Sequence, residues 1–303
     1  MKKIYVDLEF DRISGQQIMQ KALKDRTIAR GQFESKENAD ILVYVQIPFD
    51  NNIVDEWKRY REQGKKIVFI HHYMDKSHFV RYAVFNIPHL LEQIDLHIII
   101  SRQSDLYPYL LEHGVKKEMI LVQELAAAQY DVIRKKYFKK FNEKTDEICF
   151  VGRCSKGLDN FVDFLKLTKI NRTVNILCPD PHKSSRDLSS YNVYSNKSYE
   201  GVYEVMSRTK FIYCPTTYRV PPFHLETTIQ EAIPCGCIPI VDNEYQRILN
   251  TQHVEEYGFC DTHFNENEFD GSLAQQRLLT FQRLHYLTLS DTLDLILWKV
   301  TNC

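Results

Sequence analysis

The stretch Ile148-Cys149-Phe150-Val151-Gly152-Arg153-Cys154-Ser155-Lys156-Gly157-Leu158-Asp159-Asn160-Phe161-Val162-Asp163-Phe164-Leu165 holds a strand, a turn and a helix in one short run. Four apolar, β-favouring residues end at a glycine, after which Leu158, Phe161, Val162 and Leu165 recur at the spacing of one helical face. The same alternation continues in both directions. Downstream, Thr173–Leu177 reads as a strand with Cys178-Pro179-Asp180-Pro181 as its turn, Val202, Val205 and Met206 mark a helix, and 211–214 is a buried strand. Residues 225–233 then form a helix that Gly236 closes, before the strand Ile238–Val241. Upstream, strands are expected at Ile4–Val6, Ile41–Val45, 67–70, 96–100 and 119–122. Helices fall at 16–24, at 53–62 with Gly64 as the stop, and before Gly114.

Strands alternating with helices specify an α/β architecture, parallel sheets covered on both faces. A chain of 303 residues suits two such domains better than one. The charged segment 131–144, free of glycine and proline, reads as a stiff connector or surface helix, so the expected domains are 1–143 and 144–303. Apolar residues from Leu273 to Trp298 predict a helical tail packed on something, with the final helix crossing back. Two α/β domains in tandem leave a cleft, and ligands of parallel sheets gather at the carboxyl ends of the strands. The side chains to weigh are those at strand exits.

Composition narrows the class. With 44% hydrophobic and 26% charged residues the chain can build a core, which excludes a disordered protein. Lysine plus arginine (39) against aspartate plus glutamate (40) gives a net charge of −1, without the basic signature of a whole-molecule nucleic-acid binder. The charge is nonetheless uneven: residues 1–140 carry 23 basic and 19 acidic side chains, so a polyanion would prefer the first half. No apolar run approaches the ~18 residues of a bilayer span, and the opening MKKIYVDLEF lacks a signal core, which predicts a cytoplasmic protein without an integral membrane segment. The eight cysteines avoid Cys-x-x-Cys spacing and predict reduced, buried thiols with no metal site.

Three constellations carry chemistry. In the first, Gly152 and Gly157 let the backbone approach a ligand, while Arg153, Lys156 and the following helix N-terminus would hold a diphosphate by charge-assisted hydrogen bonds. The same turn also fits a solvated connection, having neither Walker A spacing nor the three-glycine dinucleotide fingerprint. The second runs Leu225-Glu226-Thr227-Thr228-Ile229-Gln230-Glu231-Ala232-Ile233-Pro234-Cys235-Gly236-Cys237-Ile238-Pro239-Ile240. Two glutamates five apart on one helix point about 140° from each other, so both can line a cleft and accept vicinal hydroxyls of a sugar or ribose. Alternatively, Glu226 favours the helix dipole and Glu231 is merely exposed. The third is His71-His72-Tyr73-Met74-Asp75-Lys76-Ser77, where imidazole and carboxylate at a strand exit could take an acceptor's proton or simply be structural.

In this order, and about 75 residues apart, the first two constellations resemble the carboxyl-terminal half of retaining GT-B glycosyltransferases of the glycogen-synthase-like type. In those enzymes Gly-Arg followed by Lys-Gly grips a nucleotide diphosphate, and a glutamate ahead of the Cys-Gly turn holds the ribose. Most of them place a second glutamate eight residues earlier, where this chain has Phe223. Glutamates five apart, followed by Cys235-Gly236 and Ile238-Pro239, more closely resemble bacteriophage DNA α-glucosyltransferases. The segment Glu204-Val205-Met206-Ser207-Arg208-Thr209-Lys210 and Lys156-Gly157 with Phe161-Val162-Asp163-Phe164 resemble that family too, over roughly 148–242.

The resemblance implies a GT-B fold, two Rossmann-like domains whose parallel sheets face an interdomain cleft, with the acceptor bound by the first and the donor by the second. It implies transfer of a sugar from a UDP-sugar to 5-hydroxymethylcytosine in double-stranded phage DNA, with retention and without a tightly bound cofactor or required metal. The donor site would comprise Gly152, Arg153, Lys156, Gly157, Glu226, Thr227 and Glu231. Glu231 would hold the ribose and Glu226 the transferred sugar or the hydroxyls next to the diphosphate, while Arg153 and Lys156 neutralise the leaving diphosphate. His71 or His72 with Asp75 would manage the acceptor proton, and Lys76, Arg81 and Arg102 would contact DNA phosphates. The run Arg134-Lys135-Lys136-Tyr137-Phe138-Lys139-Lys140 suits DNA phosphates or anionic lipid and so does not choose between acceptors, and the commonest meaning of such a run is a solvated face. A glycosyltransferase acting on a bacterial glycan or lipid, and a non-catalytic nucleotide-sugar or DNA-binding protein, are the alternatives.

Overall fold

The computed structural model describes residues 2–7, 23–45, 51–71, 87–99, 105–122, 130–216, 225–263, 269–285 and 289–302. They form two compact units, Met1–Ala128 with Leu289–Cys303, and Gln129–Thr288.

In the first unit, β1 (Ile4–Val6), β2 (Ile41–Val45), β3 (Lys66–His71), β4 (Leu96–Ile99) and β5 (Ile120–Val122) pair in that order, all parallel. Helices α1 (Asn51–Glu62), α2 (Ile87–Glu92) and α3 (Leu106–Glu112) lie between them in the chain. The strands read as unbroken apolar runs because both faces are covered. Leu42, Tyr44, Ile67 and Phe69 pack with Trp57, Leu90 and Leu110, whereas Ile41, Val43, Val45, Val68 and Ile70 turn to the opposite face with Leu23.

The second unit contains α4 (Tyr130–Tyr137), β6 (Thr145–Val151), α5 (Leu158–Thr168), β7 (Thr173–Leu177), β8 (Asn192–Tyr194), α6 (Tyr199–Arg208) and β9 (Thr209–Cys214). It continues through α7 (Thr227–Cys235), β10 (Ile238–Val241), α8 (Glu244–Ile248), β11 (Cys260–Asp261) and α9 (Gly271–His285). Its six strands are parallel in the order β11-β10-β9-β6-β7-β8. From β6 the chain winds outward through β7 to β8, then returns to the other side of β6 as β9. The order therefore reverses between β6 and β9, whose centres are in register at Cys149↔Ile212 and Phe150↔Tyr213. A crevice for ligands forms at such a switch point, beyond the carboxyl ends of the two strands.

The last helix, α10 (Leu289–Thr301), belongs to the first unit. Ile296 and Leu297 are buried against Ile4, Val6 and Ile41, and Asp294 pairs with both Arg26 and Arg30. The division between units precedes the boundary expected at 143, because the supposed connector is α4, which buries Ile133 and Tyr137 in the second core. Among the described residues no helix is long and apolar enough to cross a membrane. The seven described cysteines are free.

Two contacts fix α7. Gly236, at φ 82°, ends it where a Cβ would lie 2.3 Å from the Lys139 carbonyl, so only glycine fits. The buried Lys144 ammonium donates to the carbonyls of Met206, Ser207 and Cys235 at 2.7–3.0 Å, joining the last turns of α6 and α7.

Candidate functional site

Both halves of the site leave the strands beside the switch point. After β6, Gly152 donates its amide to the Leu177 carbonyl (3.0 Å), and a 3₁₀ turn, Cys154–Lys156, ends at Gly157 in the left-handed conformation (φ 96°, ψ 25°). That conformation turns the chain directly into α5, and a side chain there would be strained. Asp180, following β7, accepts the Cys154 amide at 2.8 Å and pairs with Lys183 at 3.2 Å. The Cys154 amide, its strongest partner, holds the Asp180 carboxyl below the usual carboxylate range. The backbone of the turn is thereby fixed, while its cations are not: Arg153 is exposed, Lys156 is half-buried, and among the described residues neither side chain has an ion pair or hydrogen bond.

After β9, Glu226 is the N-cap of α7 with extended backbone (φ −59°, ψ 145°), so it precedes the helix and the 140° separation expected from Glu231 does not apply. Its carbonyl accepts from Ile229 and Gln230, but its side chain makes no cap. Glu226 is 8% exposed, and among the described residues its Oε1 has no hydrogen-bond partner. Burial pushes this carboxyl up, and the Lys156 cation opposes the shift. One turn on, Glu231 is 7% exposed and accepts the Tyr203 hydroxyl on Oε1 at 3.2 Å. Burial pushes it up to about 7 against the pull of Tyr203 and Lys156. Glu231 is not exposed, so the simpler reading of it does not fit, whereas Glu226 at the N-cap still stands where the helix dipole favours a carboxylate.

Among the described residues Lys156 is thus an unpaired cation whose field reaches both buried glutamates. The first-turn amides of α7, those of Thr227 and Thr228, precede the hydrogen-bond ladder and have no partner within the helix. An anion placed there meets an ammonium and a helix N-terminus, while carboxylate oxygens nearby can accept hydroxyls. The arrangement suits a ligand carrying phosphate and vicinal hydroxyls together.

Sequence reasoning missed three contributors. Tyr203 looked like any residue of an amphipathic helix. Asp180 was visible only as part of a proline turn. Asp242, next after the strand Ile238–Val241, clamps Thr216 through its amide (2.6 Å) and hydroxyl (2.8 Å), and its position at a strand exit was the available signal.

The first unit departs from expectation at His71. Its ring is 0% exposed, edge-on to Phe69, with Nε2 3.0 Å from Nδ1 of the buried His97. Burial, and secondarily His97, pushes His71 well below the ordinary imidazole value, and burial takes His97 to about 3. Alternation along β3 explains the correction: the final residue of the strand faces the core like Phe69 before it. His72, Asp75, Lys76, Arg81 and Arg102 lie outside the described residues.

The architecture is GT-B, two Rossmann-like units in one chain. No protein-family model matches the sequence, and no curated protein does. Among solved structures, an α-glucosyltransferase in complex with UDP is 14% identical with a TM-score of 0.70, covering 99% of this chain and 100% of that one. An α-glucosyltransferase in complex with UDP-glucose and DNA containing an abasic site is 16% identical (TM-score 0.60; 98% and 92% covered). A UDP-forming α,α-trehalose-phosphate synthase from Burkholderia xenovorans is 12% identical (TM-score 0.57; 97% and 80% covered). At these identities the likeness establishes the fold.

Proposed function

We propose that this chain is a retaining glycosyltransferase that moves a sugar from a UDP-sugar to the hydroxymethyl group of 5-hydroxymethylcytosine in double-stranded DNA. The observation carrying this reading is the meeting of Lys156, the start of α7 and the buried carboxylates of Glu226 and Glu231 at the switch point. The solved α-glucosyltransferases of like fold, bound to UDP or to UDP-glucose with DNA, support it. Gly152 and Gly157 bring the backbone to the diphosphate, Arg153, Lys156 and the Thr227 amide neutralise it, Glu231 accepts the ribose hydroxyls, and Glu226 accepts those of the sugar. The acceptor falls to the first unit.

In the reaction the bond from the anomeric carbon to the diphosphate oxygen breaks, its electron pair leaving on UDP. The acceptor oxygen bonds to that carbon, and its proton passes to the departing phosphate. Preorganised cations stabilise the charge as it develops on the leaving group. The target base must leave the stack, at a cost of a few kcal/mol that phosphate contacts offset. Free thiols fit a reducing compartment, the cytoplasm.

Incubation with UDP-glucose and a hydroxymethylated duplex, followed by mass spectrometry of the nucleosides, should reveal a hexose on hydroxymethylcytosine and none on cytosine. Since Arg153 and Lys156 supply the positive charge, turnover should persist in excess chelator. UDP release that ignores the modified duplex would assign the acceptor elsewhere, and absence of UDP binding would remove the donor site.

A further inference from the structure

Tyr203 lies on α6, outside every motif legible in the sequence. Its ring packs between Tyr137 and Tyr199, at centroid distances of 5.5 and 6.2 Å. Its buried hydroxyl donates to Oε1 of Glu231, and among the described residues Oε2 of Glu231 has no partner. Lys144 binds the ends of α6 and α7 together, so phenol and carboxylate are held in fixed relation. A carboxylate that receives two vicinal hydroxyls needs one rotamer and a negative charge, and burial works against the charge. A single O–H donor on one oxygen meets both needs.

We propose that Tyr203 is a positioning residue of the donor site, holding Glu231 by Oε1 so that Oε2 meets the nucleoside hydroxyls. The proposal rests on the donor-site reading above and adds a residue that does not touch the substrate. Facing Glu231 are Tyr203 and Tyr199 from α6, Lys156 from the turn after β6, and Cys235 on α7 itself. Among the described residues only Tyr203 and Lys156 draw its carboxyl down from the value that burial imposes. Loss of the phenol hydroxyl therefore raises the pH at which Glu231 ionises.

UDP affinity, measured by calorimetry across about pH 6 to 8, should strengthen in the wild type as Glu231 ionises. Tyr203→Phe, which keeps the ring, should weaken UDP about tenfold at neutral pH and move the midpoint upward. Its kcat at saturating UDP-glucose should stay close to wild type. Glu231→Gln should flatten the profile, and adding Tyr203→Phe to it should cost nothing more. A purely structural tyrosine would weaken UDP equally at every pH, and that result would overturn the proposal. So would an unchanged Tyr203→Phe profile, or a Glu231→Gln protein that kept the wild-type profile, a test that stands even if Tyr203→Phe does not fold. A wild type that binds no UDP would instead retire the donor-site reading, and this proposal with it.

Discussion

Lys156 owes its importance to what it does not touch. A lysine locked in a salt bridge has its charge spent, whereas this one projects its field on two buried carboxyls without pairing with either. Replacing Lys156 or Arg153 with alanine should lower turnover by about 10²- to 10³-fold. Melting temperature should hardly change, since among the described residues neither side chain has a partner to lose; near-normal UDP release would defeat the phosphate assignment. The His71 and His97 pair makes a prediction of opposite kind. Both imidazoles have folded values below the unfolded one of about 6.5, so their contribution to stability is complete above that pH and is lost as pH falls through the window below it. Thermal melts should decline below about pH 6.5, with a shallower decline in the double variant His71→Phe, His97→Leu. These two cases also mark what single residues disclose. Gly152 to Gly157 was legible because its chemistry is contiguous, and Glu231 because a helix and a Cys-Gly turn frame it. A histidine at a strand exit reads identically whether it faces ligand or core, and the pleat decided for His71. Tyr203 was unreadable because its partner lies on another helix.

At the level of elements, α7 concentrates the constraints. Its start carries Glu226, its next turn Glu231, and its end is tied to α6 by the Lys144 ammonium. Burial pushes Lys144 below the ordinary lysine value, yet each of its three hydrogen bonds goes to a carbonyl of a closing helical turn. Lys144→Met should therefore cost about 2–4 kcal/mol, readable by denaturant unfolding of the second unit, because it orphans buried acceptors. Strands flanked by helices on both faces declared themselves as apolar runs, and Ile41–Val45, Thr173–Leu177 and Ile238–Val241 coincide with their expected limits. The edge strands Asn192–Tyr194 and Cys260–Asp261 escaped notice, being too short to show a period. Charge misdirected the reading of α4: five cations face solvent on or beside it, but Ile133 and Tyr137 on its other side belong to the core.

For the molecule as a whole, the sequence disclosed two α/β halves from their alternation, while the affiliation of the last helix depended on contacts more than two hundred and fifty positions apart, such as Arg26 with Asp294. Removing residues 289–303 should uncover the face of β1 and β2 that Ile296 and Leu297 bury. Amides of β1 to β3 should then exchange hydrogen faster, with those of β6, β9 and β10 unchanged; equal acceleration in both units would refute the division. The return of α10 also has a temporal consequence. Ribosomes make this chain from its amino end, and domains generally mature as they emerge. Here the opening sheet has to wait: everything up to Thr288 is translated before the segment that finishes its packing exists, so the half made second is the half able to mature first.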